Sequence, residues 1–129
     1  MADEISLTAA LRISSTNLRE SYDPGAITID YTDADSTQRG GGGLQNIGTA
    51  VEAISLGDAA DGGVFFFRNV DDVNYVEIGR TSDGSATGTF YPFLKLLAGE
   101  PSVGGVSEST IFARANTASI NLQYRMLSP

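Results

Sequence analysis

The chain has 129 residues, enough for one domain with a real core and too few to expect two. It sets 16 acids against 8 bases, a formal charge of −8, which disfavours nucleic acid and anionic membranes because both are held mainly through Lys and Arg. It contains no cysteine and no histidine, so disulfides, thiolate chemistry and the commonest general base and metal ligand are excluded.

The acidity is uneven. Residues 1–66 hold ten acids and three bases, whereas residues 67–129 hold six acids and five bases. "MADEISL" opens with two acids, the wrong charge for a secretory signal, and no apolar run is long enough to span a membrane as a helix. From Ile5 the chain alternates, with Ile5, Leu7, Ala9, Leu11 and Ile13 against Ser6, Thr8 and Arg12, which predicts a half-buried strand. Asp23-Pro24-Gly25 is a turn signal, because Pro presets φ and Gly tolerates positive φ. Ile27, Ile29 and Tyr31 then alternate with Thr28 and Asp30 as a second strand.

Thr32 to Gly43 holds no apolar residue larger than alanine and reads as a flexible Gly-rich loop. Its four glycines are not followed by Gly-Lys-Ser/Thr, so they do not form a phosphate loop. Asp33 and Asp35 resemble the start of a calcium loop, but Gln38 stands where the glycine belongs and no glutamate closes it. A strand is expected from about Thr49 to Leu56, on β-branched content and flanking glycines. "VFFFR" (residues 64–68), a polar turn around Asn69 to Asn74 and "YVEI" (75–78) read as a hairpin.

Three consecutive phenylalanines cannot share one face of a strand. Phe65 and Phe67 oppose Val64 and Phe66, so one pair faces something other than the core, either a covering loop or a partner. Thr89 to Leu97 is aromatic but interrupted by Pro92, which predicts an edge strand or a bulge. "AGEPSVGGVSES" (98–109) carries turn signals. Strands close the chain at 110–116 and 118–127, the latter with Ile120, Leu122, Tyr124 and Met126 on one face.

About eight or nine short strands punctuated by Gly, Pro and Asp, with no alternating helices, predict an all-β protein. The expected fold is a single antiparallel β-sandwich over residues 1–129, jelly-roll-like, with an N-terminal arm at 1–4. Candidate chemistry is thin. The acids concentrate in turns, where Asp is a turn former; a Ser-Lys dyad has only Lys95, in an aromatic strand; and no Gly-x-Ser-x-Gly elbow occurs. The arginines are scattered singly rather than in a stripe. The expectation is a non-enzymatic protein without metal or cofactor. A carbohydrate platform built on Tyr75, Phe90 or Tyr91 is the other class considered, weakened by the absence of tryptophan.

"GTAVEAISLGD" (48–58), "GGVFFFRNVDDVNYVEIG" (62–79), "FYPFLKLLAGEP" (90–101) and "FARANTASINLQYRML" (112–127) together resemble small β-sandwich structural proteins of tailed-bacteriophage virions. The likeness covers roughly residues 44–127 and departs from the pattern at "PSVGGVSES". It implies a decoration (cement) protein on the outer capsid surface, made in the host bacterial cytoplasm and partnered by the major capsid protein and by itself, often as a trimer. Another virion position, in the tail, neck, baseplate or head fibre, is the alternative. Neither nucleic acid nor membrane is an expected partner. The expected interface residues are Phe65, Phe67, Tyr91, Phe93, Ile5 and Leu7.

Overall fold

The computed structural model describes residues 4–17, 19–30, 39–57, 59 and 62–128. Twelve strands and no helix occur among them, and every pairing is antiparallel. The span read as one domain divides into two compact units, residues 1–37 and 38–128, and each is described by itself.

The first unit consists of two-stranded sheets. β1 (Glu4–Thr8) pairs with β4 (Ala26–Asp30), and β2 (Leu11–Ser14) pairs with β3 (Arg19–Tyr22). The single strand expected from Ile5 to Ile13 is thus two, parted at Ala9 and Ala10. Gly25 sits at φ 77° in the predicted turn, and its amide donates to Asp23 Oδ1 at 2.9 Å. Every side chain described in this unit is exposed. Of the proposed arm, residues 1–3 lie outside the described residues and Glu4 opens β1.

The second unit holds two four-stranded sheets. The first runs β10 (Pro101–Val106), β7 (Gly63–Asn69), β12 (Ile120–Ser128) and β5 (Arg39–Ile47). The second runs β6 (Glu52–Ala53), β11 (Phe112–Ala115), β8 (Val76–Thr81) and β9 (Phe90–Leu96). One hydrophobic core draws on both: Ile47, Phe65, Phe67, Leu122 and Met126 from the first sheet join Val76, Ile78, Ala113 and Leu96 from the second. Period-2 alternation produces this arrangement, because each strand sends alternate side chains to the shared interior.

Four expectations need correction. Residues 39–43, assigned to the flexible loop, are the first half of β5; residues 31–38 lie outside the described residues. The glycines suit a strand here because Gly41 lies against the backbone of Leu56, where a Cβ would come within 2.0 Å of the carbonyl oxygen. The strand expected over 49–56 shrinks to Glu52–Ala53, and "PSVGGV", read as turn-rich, is β10. β7 and β8 do not form a hairpin. β7 pairs with β10 and β12 while β8 pairs with β9 and β11, so the polar turn crosses from one sheet to the other.

Candidate interaction surfaces

The three phenylalanines resolve by alternation. Phe65 and Phe67 point inward and stack on each other, with centroids 4.7 Å apart, and are 6% and 0% exposed; Phe66 points outward, half-buried. The first two are core residues, not interface residues, because the second sheet covers that face. Ile5 and Leu7 lie on β1 opposite Ile29 and Ile27, and their side chains are outside the described residues.

Tyr91 and Phe93 are different. They stand on β9, an edge strand, at 50% and 44% exposure. The β8–β9 register shifts between Ile78 and Gly79: Ile78 faces Leu94 and Gly79 faces Pro92, which leaves Phe93 as the extra residue of a bulge. The bulge depends on Gly79, where a Cβ would lie 2.2 Å from the Tyr91 carbonyl oxygen. Pro92 removes one backbone donor from this edge, as its position in the sequence predicted. The Arg80 guanidinium stands 5.7 Å from the centre of the Tyr91 ring.

The other two rings of the candidate carbohydrate platform, Tyr75 and Phe90, are already capped by cations. Lys95 Nζ sits 4.1 Å from the Tyr75 ring centre, and the Arg114 guanidinium lies 4.9 Å from that of Phe90 while pairing with Glu77 at 3.5 Å. A sugar stacking on Tyr75 or Phe90 would have to displace these partners.

The sequence reading missed the outer face of the first sheet. Its four strands contain no Asp or Glu, in a chain with 16 acids. In one cross-strand row Gly42, Arg125, Phe66 and Val103 stand side by side; in the next come Leu44, Gln123, Arg68 and Pro101. Leu44 and Val103 are 63% and 39% exposed. Leu44, Phe66, Gln123 and Arg125 line a hollow of about 420 Å³. The Arg125 stem passes over Gly42, where a Cβ would come within 2.7 Å of the arginine Cδ. Neither Arg68 nor Arg125 joins an ion pair among the described residues. The absence of acids was visible in the sequence but divided among four distant segments.

The turn after β7 is closed by side-chain hydrogen bonds. Asn69, fully buried, donates from Nδ2 to the carbonyls of Asn74 (2.7 Å) and Leu96 (3.2 Å) and accepts the Asp71 amide on Oδ1 at 3.0 Å. Asp71 Oδ1 accepts the amides of Val73 and Asn74, both at 2.7 Å. The Asn74 amide, then that of Val73, hold the Asp71 carboxyl below its ordinary value. Val73, at the tip, is 79% exposed.

Among the described residues no group of three His, Cys, Asp or Glu is placed to hold a metal, and no helix is long and apolar enough to cross a membrane. No protein-family model, curated protein or solved structure matches the chain.

Proposed function

We propose that this chain is a structural protein of a tailed-bacteriophage virion, a capsid decoration protein that docks on the outer face of the major capsid lattice and ties neighbouring subunits together. The observation that carries the reading is the exposed pair Tyr91 and Phe93, fixed on an edge strand by the Gly79 bulge. Rigid exposed aromatics are the side chains that anchor protein contacts, since they bury much area at little cost in rotamer entropy. In this reading the two sheets that share a core are the layers of a jelly-roll-like sandwich, and copies cluster about a symmetry axis, a trimer being the favoured number.

Linkage is the mechanism. A protein that binds only the assembled shell stabilises it by mass action, by about 2.7 kcal/mol per site at a concentration one hundred times Kd. Many sites act in concert. The test is binding of the purified chain to shells lacking it and to unassembled capsid subunits. Saturable binding to shells alone is expected, with a copy number approaching that of the shell subunit and loss on Tyr91→Ser with Phe93→Ser. A low copy number confined to tails, or binding indifferent to both substitutions, would overturn the reading.

A further inference from the structure

We propose that the acid-free outer face of the β5–β12–β7–β10 sheet receives the Val70–Asn74 turn of a second copy of this chain. The inference stands apart from the docking role given to Tyr91 and Phe93, which lie on the other sheet.

The face combines Arg68 and Arg125 with the apolar side chains of Leu44, Phe66 and Val103. Depletion of acids with enrichment of arginine and aromatic groups is the composition of an interface centre, not of a solvated surface. In a chain of charge −8, two arginines with no carboxylate partner among the described residues make this face complementary to an acidic surface. That complement exists in the same polypeptide. The turn presents Val73, 79% exposed, beside the exposed Asp72, with Val70 at 41% exposure. An apolar tip flanked by a carboxylate matches a hollow flanked by arginines.

The turn is built before the two surfaces meet. The turn is fixed by the buried Asn69 amide and by the two amides donated to Asp71, and the Arg125 stem passes over Gly42. Little ordering entropy is therefore left for the turn to lose on association. A tip on one copy and a hollow on the next is a head-to-tail contact, which repeats around a ring when the rotation closes.

Sedimentation velocity of the full chain over a concentration series, at low and high salt, provides the test. Self-association that weakens with salt is expected. Arg125→Glu and Asp72→Arg should each weaken it by roughly tenfold or more. An equal mixture of the two variants should associate again. In it the carboxylate introduced at position 125 of one copy meets the guanidinium introduced at position 72 of the other, and a contact in the reverse sense keeps its native charges; pairs therefore form, whereas a three-membered ring would always retain one mismatched contact. Such rescue also shows that both variants fold. The Tyr91→Ser, Phe93→Ser chain should associate like the parent. A monomer at every concentration, single variants that associate like the parent, a mixture that stays monomeric, or association lost with Tyr91 and Phe93 would each overturn the proposal. So would a monomer that uses this face only for a foreign acidic protein.

Discussion

The buried amide of Asn69 donates to the carbonyl of Leu96 at 3.2 Å and so bridges the two sheets, from the last residue of β7 to the last of β9. The same side chain holds the turn that carries the chain across, through Asn74 and Asp71. Replacing it leaves buried carbonyls without donors, at about 1–3 kcal/mol for each group that water cannot reach. Asn69→Ala is therefore expected to lower stability by about 2–4 kcal/mol in urea unfolding. A change within about 0.5 kcal/mol would show that the bridge is dispensable.

Phe67 and Phe93 are the same residue type with opposite consequences. Phe67 is fully buried in the shared core; Phe93 is the exposed residue of a bulge. Removing a buried aromatic ring costs about 3–5 kcal/mol, and a hydroxyl left in its place adds to the loss. Phe67→Ser should therefore abolish cooperative unfolding or shift it drastically. Phe93→Ser should stay within about 1 kcal/mol of the parent. Equal losses in denaturant melts would contradict both assignments.

What the sequence disclosed was which side of a strand each residue takes. The predicted alternation of the last strand, with Ile120, Leu122, Tyr124 and Met126 inward, is that of the structure. Pro92 marked an edge strand with a bulge, and Asp23-Pro24-Gly25 marked a turn. What it did not disclose was which strands pair, since alternation has no term for partners remote in the chain. "VFFFR" and "YVEI" therefore looked like a hairpin although they lie in different sheets, with the buried Asn69 bridging the two. The glycines of β5 hid that strand for a related reason, because a strand without side chains has no pattern to detect. Among the candidate interface residues, Tyr91 and Phe93 are exposed, whereas Phe65 and Phe67 are covered by a sheet that no local signal announces.

Gly41 and Gly105 allow close approach to be separated from the general cost of glycine replacement. A Cβ on Gly41 would press into the Leu56 carbonyl at 2.0 Å, backbone against backbone, whereas one on Gly105 would find its nearest neighbour at 3.8 Å. Gly41→Ala is expected to cost about 2–3 kcal/mol by overpacking. Gly105→Ala should be within about 0.5 kcal/mol of the parent. Paired chemical denaturation of the two variants decides the matter; similar midpoints would mean that residues 55–57 do not run against β5.

Asp71 should make the β7–β8 turn sensitive to acid. Its carboxylate accepts the amides of Asn74 and Val73, which lowers its pKa from the ordinary 3.8. A carboxylate with a depressed pKa in the folded state contributes stability that is fully present above the unfolded value and is lost as pH falls through the folded one. Near neutral pH the parent should therefore be more stable than Asp71→Asn, and the two should converge as the pH falls through the lowered value of the folded state. Thermal melts across that range measure the gap, with amide exchange at Val73 and Asn74 reporting on the turn itself. A gap that does not change with pH would assign the effect of the substitution to shape rather than charge, and would leave the Asp71 carboxylate no part in holding the turn.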